Sequence, residues 1–351
     1  MPTSERVRCT VIVVNWNGGD DTAACLRSLI GQSAEGVAID LLVVDNGSTD
    51  GSAESLERDF PSVTMLRTGH NLGFGGAVNH ALSATSGDYA VLVNNDALAE
   101  DGFVAALLAP FSTDDRIGAV TARIVLTGRF EPVSADVAGS YRRSDGSHWT
   151  RSEVGGVELL NSTGNIVSRS GNGQDRSWLV PVDDDNSAEE VFGFSGGGCA
   201  LRRSTLVDVG AFDDSLFMYY EDTDLAWRMR RRRWSIRYAR DATLHHRHAG
   251  SSGVNSPLFL VNNVRNRILT AAKNGPSSML LASLWRTLGS LAKSFVQTLR
   301  GRPSANSRFR ATVSGLLGAL RRLPHALSIG RELDTNAREP RSFIRDWTIE
   351  D

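Results

Sequence analysis

Four apolar runs of strand length occur in the first 96 residues, and each breaks off in a turn built from polar and glycine residues. Thr10 to Val14 stops at Asn15-Trp16-Asn17-Gly18-Gly19, and Ile39 to Val44 stops at Asp45-Asn46-Gly47-Ser48-Thr49-Asp50-Gly51. Val63 to Leu66 leads to His70-Asn71-Leu72-Gly73-Phe74-Gly75-Gly76, and Tyr89 to Val93 runs straight into Asn94-Asn95-Asp96. Helical patterns separate the runs, with Leu26, Leu29 and Ile30 spaced for one face and a second helix expected from about Ala77 to Ala84. Strands apolar on both faces that alternate with helices predict a parallel sheet covered by helices, an α/β fold. Such sheets bind ligands beyond the carboxyl ends of their strands, and all four polar turns fall at that edge.

The chain has 351 residues, enough for one large α/β domain or a domain with an appendage. Mean hydropathy is −0.20 and no run approaches the ~20 apolar residues of a membrane span, which excludes a polytopic membrane protein. Val11 to Val14 is too short for the apolar core of a signal peptide, so a cytoplasmic chain is expected. Three cysteines, Cys9, Cys25 and Cys199, with no Cys-x-x-Cys pair imply neither a disulfide framework nor a zinc ribbon. The net charge of −2 hides an asymmetry. No acid lies between Asp241 and Glu332, where 13 Arg and Lys fall, so this +13 segment leaves −15 for the rest.

Residues 127 to 192 are rich in Gly, Ser, Asn and Asp and read as hairpins and loops forming the other wall of a cleft, with Val154 to Leu160 strand-like. Order returns with Phe192-Gly193-Phe194-Ser195-Gly196-Gly197-Gly198, then Leu216-Phe217-Met218-Tyr219-Tyr220-Glu221-Asp222-Thr223-Asp224, then an Arg-rich helix from Leu225 to Trp234.

A carboxylate at a strand end, as at Asp96, can hold a divalent cation that also takes phosphate oxygens. Taken alone, Asn94-Asn95-Asp96 and Asp45 read equally as turn or capping residues. In order and spacing, however, the four polar strand ends resemble those of the family 2 inverting glycosyltransferases of the GT-A fold. The resemblance continues through Gly210-Ala211-Phe212-Asp213, Phe217 to Leu225, Trp234 and His246-Arg247-His248, covering about Thr10 to Gly253. It implies a Rossmann-like, mostly parallel sheet with flanking helices. Residues 1–126 would form the nucleotide-sugar half, 127–254 the acceptor half with the base and the metal histidine, and 255–351 a basic helical tail.

By that resemblance Asp45 meets the nucleobase or ribose, and Asn15, Trp16 and Asn17 line the same pocket. Asn71, Gly75 and Gly76 let the backbone approach ribose and diphosphate, while Asn94 and Asn95 complete the donor site. Asp96 binds Mn²⁺ or Mg²⁺, although Asn94 replaces the first Asp of the family's D-x-D element. Asp222 is the catalytic base, with Glu221 and Asp224 as acidic neighbours on the acceptor side that would raise its pKa; a plain acidic helix start is the competing reading. His246 completes the metal site, with His245 and His248 as alternatives. Gly196 and Gly197 leave room for an acceptor sugar, or act as a hinge. The arginines before Trp234 read as a solvated face, with one or two able to meet phosphate; the processive Gln-x-x-Arg-Trp element is absent.

These implications give an inverting transfer from a nucleotide sugar, with dTDP-rhamnose favoured, to a glycan or lipid-linked acceptor. UDP-galactofuranose, other UDP-hexoses, GDP-mannose or a non-catalytic sugar-nucleotide scaffold are the alternatives. An NAD-type fold is disfavoured because Gly73, Gly75 and Gly76 do not form G-x-G-x-x-G after the first strand. In the tail, Leu280, Leu281, Leu284, Leu288, Leu291, Phe295 and Leu299 share helical spacing, and Arg286, Lys293 and Arg300 recur every seven residues. A second amphipathic stretch runs from Phe309 to Leu323. They pack on the domain or on another copy in a homo-oligomer, or they lie on an anionic inner-membrane surface; leucines rather than aromatics between the basic residues argue against nucleic acid.

Overall fold

The structure, a computed structural model, describes residues 6–135, 137–247, 256–302 and 305–351. The chain begins β1 (Val7–Asn15), α1 (Gly19–Leu29), β2 (Val37–Asp45), α2 (Ser52–Asp59), β3 (Thr64–Arg67), α3 (Gly73–Ala84) and β4 (Tyr89–Asn94). It continues with β5 (Ala97–Ala99), α4 (Phe103–Leu108) and β6 (Ile117–Leu126). Short strands follow: β7 (Arg129–Val133), β8 (Tyr141–Arg142), β9 (His148–Ser152), β10 (Leu160–Ser162), β11 (Asn165–Ser168) and β12 (Gly173–Asp175). Then come β13 (Gly198–Arg202), α5 (Arg203–Val209), α6 (Glu221–Arg231) and β14 (Ser235–His246). The tail is α7 (Pro257–Asn274), α8 (Ser277–Leu299), α9 (Ala305–Asn336) and β15 (Thr348–Ile349).

Nine strands form one sheet in the order β3-β2-β1-β4-β13-β6-β14-β5, with β10 beside β6. The strands β1 to β4, β6 and β14 run one way; β13, β5 and β10 oppose them. Period-two alternation explains the double burial of β1. Cys9, Val11 and Val13 pack with Cys25 and Leu26 of α1 and Phe103 and Leu107 of α4, while Ile12 packs with Ala77 and Val78 of α3 and Leu225 of α6. Each such Val or Ile contributes roughly 1.5–3 kcal/mol when fully buried. The sheet runs through residue 126 without a break, so the two expected halves share one core.

The segment after β6 departs from expectation. β7, β9 and β8 form a separate three-stranded sheet over Leu126, Phe130, Leu159 and Leu179, and no residue of 127–192 lines the cleft described below. Val154 is exposed, and only Leu160 of the strand-like run enters a strand.

The arginines of α6 are neither solvated as a face nor turned to the cleft. Arg228, Arg230 and Arg231 are buried against Asp224, Glu190 and Asp334, because α6 is enclosed by β14, the loop at 190–192 and the tail. Tail helices α7 and α9 pack on each other and on the domain. Ile344 beyond α9 joins Val167, Phe192 and Trp227 in one cluster, and β15 pairs with β11. Packing on the domain is therefore the arrangement of α7 and α9.

Candidate functional site

A cleft of about 370 Å³ opens at the carboxyl edge of β1 and β4. Trp16, Asn17 and Gly18 after β1, Asn46 after β2, Asn71, Gly73 and Phe74 at the start of α3, and Asn94, Asn95 and Asp96 after β4 form one side. The other side is Ser195, Gly196 and Gly197 before β13, Met218, Tyr219, Glu221 and Asp222 at the start of α6, His246 at the end of β14, and Phe259 on α7.

Beneath the floor lies a polar brace. Asn15 is fully buried; its Nδ2 donates to Asp45 Oδ1 at 3.1 Å, Ser48 Oγ at 3.1 Å and Ser52 Oγ at 2.9 Å, while Oδ1 accepts from Thr22 Oγ1 at 2.8 Å. Asn15 and Asp45 thus hold the ends of β1 and β2 together and do not line the cleft, a correction to the expectation that Asp45 faces the base. Asn46, not singled out in the sequence, does line it, and its amide donates to Asn71 Oδ1 and Gly73 O while accepting from the Leu72 N–H.

Glycine roles shift in the same way. Gly73 has φ of +76°, and a Cβ there would lie 2.1 Å from Phe217 O, so only glycine lets α3 meet the loop before α6. Gly75 and Gly76 sit inside α3 and do not line this cleft: Gly75 leaves space for Phe212 and Glu221, Gly76 for Leu72.

Asp222 enters the cleft from the first turn of α6. Its Oδ2 accepts the Gly196 N–H at 3.1 Å, and Oδ1 accepts the Thr223 N–H at 2.6 Å and hydroxyl at 3.2 Å. Gly197 lies close to Asn94, and its carbonyl accepts the Asn94 N–H at 3.0 Å. Glu221 is buried and lifted to about 8 by loss of solvation and then by the charge of Asp222. Asp224, expected on the acceptor side, is instead fully buried away from the cleft. Arg228, Lys273 and Asn274 bond it at 2.9, 2.8 and 2.7 Å. Helical geometry turns residue 224 away from residue 222, and α7 covers that face.

Of the histidines, strand alternation selects one. His246 faces the cleft, whereas His245 pairs with Glu100 at 2.7 Å outside it; His248 lies outside the described residues. His246 Nδ1 is 2.7 Å from Asn161 Oδ1, an acceptor for a ring N–H at that position. Its Nε2 lies 3.0 Å from Asp96 Oδ1 and 3.4 Å from Asn94 Nδ2. An imidazole and a carboxylate side by side are both ligand types for a divalent cation, and a hydrogen-bonded Nδ1 is the usual support of a metal-binding imidazole. Among the described residues no group of three or more His, Cys, Asp or Glu is placed to hold a metal ion. Asn161 opens the stretch Asn161-Ser162-Thr163-Gly164-Asn165, which with Asp175-Arg176 is similar in sequence to a segment of bacterial rhamnosyltransferase-like members, a resemblance that gave Asn161 no role of its own. Asp175 is another nearby acid, raised to about 6 by burial and by Asp222, while Arg176 ties loops together through Thr163, Ala188 and Glu190.

A family model described as "Glycosyl transferase family 2" matches residues 10–154. An N-acetylglucosaminyl-diphospho-decaprenol L-rhamnosyltransferase of Mycobacterium tuberculosis is 28% identical over 297 residues, covering 80% of this chain and 90% of its own. Among solved structures, the mannosyltransferase PcManGT from Pyrobaculum calidifontis in complex with GDP-Man and Mn²⁺ aligns with a TM-score of 0.52 at 15% identity, over 90% of this chain and 88% of that one. GalNAc-T7 with UDP, GalNAc and Mn²⁺ aligns with a TM-score of 0.56 at 13% identity, over 96% and 59%.

Proposed function

We propose that this chain, whose residues 10–154 match a glycosyl transferase family 2 model and whose fold is that of GT-A structures, is a glycosyltransferase that takes its sugar from a nucleotide sugar and inverts the anomeric configuration in the transfer. The favoured donor is dTDP-rhamnose. The acceptor is a lipid-linked glycan of the N-acetylglucosaminyl-diphospho-polyprenol class, in cell-envelope polysaccharide synthesis at the cytoplasmic face of the membrane. The relative from M. tuberculosis supports this choice of sugar and acceptor.

One observation carries the reading: the carboxylate of Asp222 opens into the same cleft as the Asp96–His246 pair. Asp222, oriented by the Gly196 N–H, takes the proton of the acceptor hydroxyl as that oxygen bonds to the anomeric carbon. The bond from that carbon to the diphosphate breaks on the opposite face, and the electron pair leaves with the nucleoside diphosphate. Bound Mn²⁺ or Mg²⁺, held by Asp96 and His246, would neutralise the charge gathering on that diphosphate. Trp16 offers an exposed aromatic face to the base, and Asn17, Asn46 and Asn71 supply polar partners for the nucleoside. Gly196 and Gly197 keep the acceptor's approach to Asp222 free of side chains.

The test uses purified full chain and a soluble-tailed N-acetylglucosaminyl diphospholipid. dTDP-rhamnose with Mn²⁺ should give product of inverted anomeric configuration, and Asp222→Asn should lower kcat about 10²–10⁴-fold while leaving the Mn²⁺-dependent thermal shift by dTDP unchanged. Turnover within tenfold of wild type removes Asp222 as base. A larger shift and turnover with GDP-mannose, UDP-galactofuranose or another UDP-hexose moves the donor assignment.

A further inference from the structure

Helix α8 is packed inside out. Its buried side carries Met279, Ser283, Thr287 and Ser294, and Arg267 of α7 donates to the Ser283 and Thr287 hydroxyls at 3.1 and 2.7 Å. Its large apolar residues point away from the protein: Leu281 is 57% exposed, Trp285 71%, Phe295 51% and Leu299 72%, with Leu288 and Val296 also exposed. At 3.6 residues per turn these six fall on one face, opposite the hydroxyls. Phe295 meets Phe309 of α9 with ring centroids 6.0 Å apart, and Leu317 and Leu320 of α9 are exposed as well. Apolar surface of this extent on one helix marks a docking face.

Charge selects the occupant. Lys293 and Arg300 flank the face on α8, and Arg302 and Arg310 follow it, all exposed, while Arg286 on the same flank is paired with Asp351. No acid occurs anywhere from residue 242 to residue 331. A second copy seated on this face by a twofold axis would bring like rows of cations together with no carboxylate of α7 or α8 to pair them. A phospholipid surface supplies both missing elements: anionic headgroups for the basic flank, and an acyl boundary for Leu281, Trp285 and Leu299. We propose that α8 docks this chain on an anionic membrane surface, lying in the interface without crossing it. No described helix is long and apolar enough to span a bilayer.

The hairpin register relates this face to the cleft. α7 and α8 are joined by Gly275 and Pro276 and run antiparallel, with Arg267 level with Ser283 and Thr287. The same register puts Phe259, which lines the cleft, level with the turn near Phe295. A chain docked through α8 therefore keeps its cleft near the headgroups, where a lipid-linked acceptor presents its sugar. Only this last link rests on the proposed function; the docking face stands without it.

Flotation with vesicles of phosphatidylglycerol and phosphatidylcholine tests the docking with no substrate present. The full chain should float at low salt, and 0.5 M NaCl should weaken partitioning at least tenfold. Trp285→Glu with Leu299→Glu should abolish binding, and Lys293→Gln with Arg300→Gln and Arg310→Gln should weaken it about tenfold. All of these variants should keep wild-type melting and wild-type turnover on a soluble acceptor. The emission of Trp285, taken as the difference between wild type and Trp285→Phe, should shift to the blue on vesicle addition. Absence of flotation, equal binding to pure phosphatidylcholine, or a dimer dispersed by Trp285→Glu each overturns the proposal. Soluble-acceptor turnover without flotation sinks the docking alone, whereas flotation without turnover sinks the transferase reading alone.

Discussion

Glu221 is buried with its Cβ and Cγ beside Gly75, and among the described residues its Oε2 meets no hydrogen-bond donor, whereas Asp222, one position on, accepts three hydrogen bonds. The sequence pattern led to the expectation that Glu221 and Asp224 raise the pKa of Asp222. In the fold Asp224 is neutralised by Arg228 and Lys273, and Glu221 itself is pushed up to about 8 by burial and then by the charge of Asp222. A raised carboxyl value means that the folded chain holds a proton the unfolded chain gives up above its ordinary value of 4.5. The stability from this group is complete below 4.5 and is lost as the pH climbs to about 8. Glu221→Gln mimics the protonated acid and titrates nowhere. Its melting temperature relative to wild type should therefore increase steadily from pH 5 to pH 8, and a constant offset across that range would show that Glu221 is ionised in the native state.

The start of α6 depends on an element that the sequence pattern assigned to an appendage. Phe217, Tyr219 and Tyr220 have φ of 64°, 69° and 73°, a left-handed conformation that residues with large side chains adopt at a cost. Asn266 of α7, fully buried, holds them there by donating to the carbonyls of Leu216, Met218 and Tyr219 at 2.9, 2.9 and 2.8 Å. Asn266→Ala should lower stability by about 2–4 kcal/mol, since the carbonyls of Met218 and Tyr219 lose this donor, while that of Leu216 keeps Arg265 Nη2 at 2.9 Å. It should also cut kcat more than donor KM, because the loop carries Asp222 but only part of the nucleotide wall. Calorimetry and steady-state kinetics check the two halves, and a melting temperature within a degree of wild type would show that the loop holds itself. At this scale β1 to β4 were legible because apolar alternation and Asn-Gly turns are local signals. The left-handed run was not legible, since no glycine marks it and its support lies about fifty positions away.

Across the whole molecule the tail is part of the domain. Arg231 pairs with Asp334 at 2.6 Å and Arg233 with Glu339 at 2.7 Å, Lys273 bridges Asp213 and Asp224, and Ile344 completes the cluster around Trp227. A chain cut after residue 275 would keep α7 but strip its cover by α9, leaving Trp227 and Phe192 without Ile344 and Arg231 without its acid. Such a chain should be insoluble or lack a cooperative melting transition; a soluble fragment with wild-type melting would make the tail a true appendage. Residue order alone was enough for the α/β class, the four polar strand ends, the acidic start of α6 and the basic, acid-poor tail, because periodicity and turn chemistry act within about ten residues. Tertiary structure decided which polar groups reach the cleft. It buried Asp45 and Asn15 as a brace, exchanged Gly75 for Gly73, took Asp224 into an ion pair and joined His246 to Asn161. It also turned the apolar face of α8 outward. Those outcomes depend on contacts between elements far apart in the chain, and each is set by what packs opposite, which a local pattern does not contain.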